Sequence, residues 1–330
     1  MLSGNKPLSI KEVAYQTELA YGQPYLSYQE FNNIINESVD FIKKWMPQNG
    51  YDIHNNEAVH KAIQKFIGEK LTIQIPSIEN KNLSINKGHE PFIYDFIDYK
   101  GEKDFRNYFV TKAFATGTGQ CNSLPIVYLI LAEALNVEAF LSYAPHMYPD
   151  NSGTVHSYEP TSHWNISNKW YTEYLFVRSE AKRSGIYLNP LNKQQIIASA
   201  MLDLAFGYKR KYGVADGKFI NTCIQNAISF FPNESNIQAH FLHSNVLAVK
   251  IDRLLQEYKI NNIYQAYQIP EIKKLLDALQ LNEDKIIQLG YQDMPQGAYE
   301  KMMEEYRVKG NIQAKNNTNT KTKKNLFYTF

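Results

Sequence analysis

One stretch of the chain gathers the residue types that perform nucleophilic chemistry. Gly117-Thr118-Gly119-Gln120-Cys121 leads into an apolar run, Leu124 to Ala132, which stops at Glu133. Pro125 fits only the first turn of a helix, because it has no amide hydrogen to give to the preceding turn. The spacing therefore predicts a helix ending at Leu135 with Cys121 at its N-terminus. There the unpaired amides and the positive end of the helix dipole favour a thiolate, the reactive form of cysteine. The same amides are placed to hold the negative oxygen that develops when a carbonyl is attacked. The second cysteine, Cys223, lies inside the apolar pattern Ile220 to Phe231 and reads as packing.

A cysteine nucleophile needs a base, and three histidines follow. Val137 to Pro145 reads as a strand that delivers His146; Pro149 to Gly153 is turn chemistry; Thr154 to Tyr158 reads as a second strand ending in Glu159-Pro160-Thr161. With Ser152-Gly153 as a two-residue loop, Asn151 opposes Thr154 and His146 opposes Glu159. The carboxylate then orients one ring nitrogen and leaves the other for Cys121. A longer loop from Asp150 shifts that pairing. His156 points to the face away from Glu159, and His163 lies beyond the strand, so geometry ranks His146 first. Gln120 is either an oxyanion donor or a turn residue. Trp164, Trp170, Tyr158 and Tyr171 either wall a substrate groove or, as their spacing favours, join the core.

The elements that must hold these groups come from a chain of 330 residues with 35 basic and 33 acidic side chains, net charge +2 and 44% hydrophobic residues. So balanced a charge gives no field to gather nucleic acid. There is no CxxC pair and no HExxH motif, and strand alternation scatters the three histidines, so neither metal nor cofactor is expected. Residues 1–100 read as a helical N-terminal region, with apolar helical periodicity over Ser27 to Met46 and Asn56 to Phe66. Residues 101–190 read as the catalytic core. Residues 191–309 return to helices at Lys193 to Tyr212, Lys218 to Phe231 and Asn236 to Tyr258, with shorter ones broken at Pro270 and Pro295. Their Pro232-Asn233 break is similar to tetratricopeptide-like hairpins, a surface for a protein partner. Residues 310–330, with four lysines and no acid in 311–330, read as a disordered basic tail. The first residues carry no signal peptide and the longest apolar run is too short for a membrane span, so a cytoplasmic protein is expected, although a mature exported one is compatible with two unpaired cysteines. The fold class is α+β.

Taken together, Gly-x-Cys at the head of an apolar helix, then a strand, a histidine and a strand ending in acid-Pro-Thr resemble the transglutaminase-like superfamily of papain-type cysteine enzymes. The similarity covers about Phe105 to Thr161. It implies a papain/transglutaminase-like core, a cysteine packed on a small antiparallel sheet, with Cys121 as nucleophile, His146 as general base and acid, and Glu159 as the orienting group. It implies acyl transfer or hydrolysis on a peptide or amide through a thioester. Two positions depart from the family pattern: Glu159 replaces the usual Asp, and Tyr148 replaces a Trp two residues after the histidine. The rival expectation is an inactive relative that binds a protein partner through its helices.

Overall fold

The computed structural model describes residues 1–77, 83–143, 146–149, 151–152, 154–163, 165, 169, 172–173, 176–305 and 307–308, with only the backbone of His146. Helices dominate, and three two-stranded sheets are set among them. The α+β expectation holds at that level. Among the described residues, no helix is long and apolar enough to cross a membrane.

Three helices open the chain: α1 (Ile10–Tyr21), α2 (Tyr28–Gln48) and α3 (Asn56–Gly68). Each starts at a side-chain cap, Ser9, Ser27 and Asn55, that accepts an otherwise orphaned amide of the first turn. Ser27 and Glu30 complete a reciprocal capping box. The periodicity predicted α2 and α3; α1 was not anticipated. Nor is this region wholly helical. Strands β1 (Leu71–Pro76) and β2 (Ser84–His89) form an antiparallel hairpin in which Leu71 and Ile73 are buried and Thr72 and Gln74 exposed, the period-2 mark of a half-covered strand.

Next come β3 (Ile93–Tyr94), a 3₁₀ turn at Phe105–Tyr108, α4 (Val110–Thr116), β4 (Thr118–Gly119) and α5 (Ser123–Ala134). Helix α5 is apolar all round and buried almost throughout, with Leu124, Val127, Tyr128 and Leu131 at zero exposure. That pattern marks a central helix, and each such side chain contributes about 1.5–3 kcal/mol by leaving water. One apolar cluster surrounds α5 and draws on residues from Ile10 to Val246.

The predicted strand over Val137 to Pro145 does not form across its described part. Phe140 bridges to Met147, whereas Leu141 bridges to Leu191. Neighbouring residues thus pair with different elements and no ladder develops. The hairpin that follows is β5 (His146–Pro149) against β6 (Val155–Tyr158), in the register His146↔Tyr158 and Pro149↔Val155. His146 therefore does not oppose Glu159. Pro149 belongs to the strand and the connection spans 150–154, so the pairing is shifted by one residue from the two-residue-loop expectation. His146 and His156 consequently share a face by alternation, contrary to the expected separation.

The described elements that follow are helices: α6 (Ser179–Ser184), α7 (Lys193–Tyr212), α8 (Lys218–Ile228), α9 (Ile237–Glu257), α10 (Ile263–Ala266) and α11 (Pro270–Gln288). The three helices expected after residue 192 match α7, α8 and α9 to within a few residues. Pro270 starts a helix of 19 residues rather than breaking short ones, since a proline is tolerated in the first turn. Cys223 is 4% exposed in the main core, as its apolar setting indicated. The tail from 309 onward lies outside the described residues.

Inside the core, His60 Nδ1 meets the Tyr128 hydroxyl at 2.8 Å, and burial depresses the His60 pKa to about 4. A histidine held neutral supports folding fully above its unfolded value near 6.5 and loses that support as pH falls through 6.5 toward 4, about 3 kcal/mol in all. Replacing both partners by Phe removes the titrating imidazole together with its hydroxyl partner, so neither side of the pair is left facing the other's vacancy. The double variant H60F/Y128F should match the wild-type urea midpoint at pH 7.5 and exceed it at pH 5. A midpoint that falls with acid equally in both proteins contradicts this assignment.

Candidate active site

Cys121 sits two residues before the first helical residue of α5, with Asn122 as N-cap. The approach is tightly set. Gly117, at φ +68°, ends α4 in the left-handed conformation that glycine adopts without strain. Gly119 passes so close beneath α5 that an added Cβ would lie 2.7 Å from Leu124 Cδ2 and 2.9 Å from Ser123 Oγ. Strand β4 pairs in parallel with β3, Ile93 opposite Thr118 and Tyr94 opposite Gly119. A largely buried ion pair, Lys112 Nζ to Asp95 Oδ2 at 2.6 Å, closes the same corner.

Gln120 is fully buried: its backbone amide donates to Ser123 Oγ at 2.9 Å, and its side-chain Nε2 donates to the Asp98 carbonyl at 2.6 Å. The structure thus uses Gln120 to hold the turn, while Oε1 lacks a hydrogen bond. No side chain caps α5. The amides of Cys121 and Asn122 instead face the sulfur, where each favours the thiolate, as expected for the head of a helix.

The net effect on the thiol nevertheless runs against the expected depression. Burial is the largest influence and raises the pKa; the negative charge of Glu159 raises it further; the Tyr94 hydroxyl and the two amides pull it down without prevailing. Cys121 is exposed by surface area, yet the protein packs densely around it. Both hold because it lines a cavity of about 640 Å³ that also borders α1, the 3₁₀ turn and α7. Water reaches the sulfur inside that cavity, but the surrounding chain limits how well a charge there is solvated.

Three phenols cluster near the sulfur. Tyr94, Tyr108 and Tyr299 each have their pKa raised, first by burial and then by the charge of the Cys121 thiolate. The buried Tyr94 hydroxyl makes no hydrogen bond of ordinary geometry, leaving it available to a ligand oxygen on the thiol. Tyr299 comes from a helical segment near the end of the described chain, where its ring lies 6.1 Å from that of Tyr99. None of the three was singled out from the sequence. Their convergence depends on the β3–β4 pairing and on a contact between segments some 180 residues apart, which local spacing does not encode.

The other expected residues fall as follows. Glu159, just past β6, accepts from Thr161 N at 3.1 Å and Thr161 Oγ1 at 2.7 Å, and its charge reaches Cys121. The His146 side chain lies outside the described residues, as do Trp164, Trp170 and Tyr171. His156 is exposed and stacks on Tyr148 with centroids 5.6 Å apart. His163 packs against Gly68 and Phe92, and burial lowers its pKa to about 4. Tyr158 is core, 2% exposed against Tyr128, and walls no groove.

In comparison with known proteins, the chain matches no family model, no curated protein and no solved structure.

In a Cys223→Ser background, alkylation of Cys121 by iodoacetamide should show a midpoint above pH 9.0. Tyr94→Phe should move that midpoint further up, through loss of a donor to the thiolate. A wild-type midpoint near pH 6 contradicts this description of the resting thiol.

Proposed function

We propose that the protein is a thiol-dependent acyltransferase or hydrolase of the transglutaminase-like type, acting on an amide or peptide carbonyl. The observation that carries the reading is Cys121 at the uncapped head of α5, with two backbone amides on its sulfur and a cavity in front of it. A volume of about 640 Å³ is within the range that binds small molecules or a peptide side chain.

In this reading His146 is the base and Glu159 its orienting carboxylate. The β5–β6 hairpin carries His146 on one strand and leads into Glu159 at the end of the other, and Glu159 lies close enough to influence the thiol. A resting thiol with a raised pKa fits deprotonation during attack, as a serine is activated, better than a preformed thiolate. The Cys121 sulfur adds to the carbonyl carbon while its proton passes to His146. The carbonyl oxygen takes the negative charge, stabilised by the amides of Cys121 and Asn122 and by the Tyr94 hydroxyl. Collapse breaks the carbon–nitrogen bond, and His146 returns the proton to the leaving amine. Water or a second amine then attacks the thioester, His146 accepts its proton, and the carbon–sulfur bond breaks to restore the thiol.

Hydrolysis of an activated acyl ester or anilide provides the test. Cys121→Ala and His146→Ala should each lower kcat/KM by about 10³-fold or more, and Glu159→Gln by about 10-fold or more. Tyr94→Phe should lower kcat with KM nearly unchanged, since its hydrogen bond strengthens only as the oxyanion forms. Full activity in Cys121→Ala overturns the reading.

A further inference from the structure

The cavity in front of Cys121 is far larger than the carbonyl group that the reaction needs. At about 640 Å³ it has room for on the order of 20 water molecules, and the surrounding wall selects what can replace them. Apolar side chains enter that wall from several elements. Ile10 on α1, Phe109 and Val110 at the head of α4, and Ile196 and Leu202 on α7 all line it, each at 5% exposure or less. Ile126, half-buried, adds to the wall from α5, the helix that begins beside the thiol.

The charged side chains of the wall give an ionic ligand no advantage. Three basic groups, Lys100, Lys209 and Arg210, are matched by three acidic ones, Glu18, Glu102 and Asp203, so no net charge gathers ligands of one sign. Lys100, Glu102, Asp203 and Arg210 are exposed, and water reaches them without a ligand. Glu18 is the buried acid. Its carboxylate takes the Val110 and Thr111 amides and the Thr111 hydroxyl, yet burial still raises its pKa to about 7. The interior thus disfavours even a charge that has three donors.

Several uncharged polar groups are spent within the protein. Thr17 Oγ1 donates to the Val13 carbonyl at 2.9 Å, and the Tyr143 hydroxyl lies 3.3 Å from Ser199 Oγ and accepts from Asn236 Nδ2 at 3.1 Å. A polar chain entering this space gives up its water and finds these groups engaged. An apolar chain gains by leaving water, about 4-fold in affinity for each methylene buried. Cys121 and Asn122 are themselves part of the wall, so such a chain shares one space with the thiol.

We infer that the acyl group transferred through Cys121 is a medium-length aliphatic chain, seated in this cavity with its carbonyl at the thiol. The place of the carbonyl rests on the function proposed above, whereas the apolar site stands on the cavity alone.

Two measurements separate these parts. Calorimetric titration of full-length Cys121→Ala with butanamide, hexanamide and octanamide tests the site without turnover. Affinity should rise by about 10-fold for every two methylenes, and octanamide should bind at least 10-fold more tightly than 8-aminooctanamide or suberamate, its cationic and anionic counterparts. Equal affinity along the series, or tighter binding of either charged counterpart, overturns the inference. Adding Ala200→Phe narrows the same space and should weaken octanamide by about 10-fold; undiminished binding by the folded variant overturns the assignment to this cavity. The chain-length series, run with these walls unaltered, decides the inference if that variant does not fold.

The second measurement compares p-nitrophenyl butanoate, hexanoate and octanoate with the p-nitrophenyl ester of N-acetyl-leucine, each corrected for spontaneous hydrolysis. Wild type should gain about 10-fold in kcat/KM for every two methylenes and prefer the octanoate to the leucine ester by at least 10-fold. Preference for the leucine ester makes the occupant a peptide side chain and overturns the aliphatic assignment. If no ester is turned over while the amides still bind according to length, the catalytic reading fails and the apolar site stands. If the esters react without regard to length, the catalytic reading stands and the inference fails.

Discussion

The near-complete burial of α5 constrains everything around the site. A helix that is apolar on every face has no freedom to rotate or slide without exposing Leu124, Val127 or Leu131. Its N-terminal end is consequently a fixed point in the molecule. At that end the Leu124 amide donates to the Gln120 carbonyl at 3.0 Å, Pro125 has no amide hydrogen, and no side chain of the N-cap residue caps the helix. The amides of Cys121 and Asn122, just before the helix, are left to the Cys121 sulfur.

The surrounding polar contacts follow from fixing that end. Gln120 reaches the Asp98 carbonyl, Asp95 pairs with Lys112, and β3 pairs with β4. These contacts come from segments on both sides of α4 and converge within a few residues of the sulfur. They keep the turn rigid while the space toward α1 and α7 stays open as a cavity. The same dense surroundings raise the thiol pKa, which in the proposed reaction calls for a nucleophile that gives up its proton as it attacks. Stabilisation of the developing charge then falls to groups already in place, the amides of Cys121 and Asn122 and the hydroxyl of Tyr94.

The central helix and its cysteine were legible in the sequence because the signals are local: two glycines, a proline confined to the first turn and an uninterrupted apolar run. The long helices α2, α3, α7, α8 and α9 were legible for the same reason. The β5–β6 register was not. Pro149 looked like turn chemistry but occupies the strand, and one residue of difference moves His146 from Glu159 to Tyr158. Pairing across a hairpin depends on loop length, which several turn residues in a row leave open. The β1–β2 hairpin escaped notice because only Leu71 and Ile73 carry its buried face. Tyr94 and Tyr299 had no sequence signal at all, since each matters only through what the fold brings beside it.

The central claim is that Cys121, and not the buried Cys223, carries an acyl group through catalysis. Rapid quenching of the full-length protein during turnover of p-nitrophenyl acetate, followed by intact and peptide mass spectrometry, tests it directly. The account predicts one acetyl group per chain on Cys121, which persists far longer in His146→Ala because the base needed for its release is gone. An acetyl group found on Cys223, or none on either cysteine while the ester is being turned over, would contradict it.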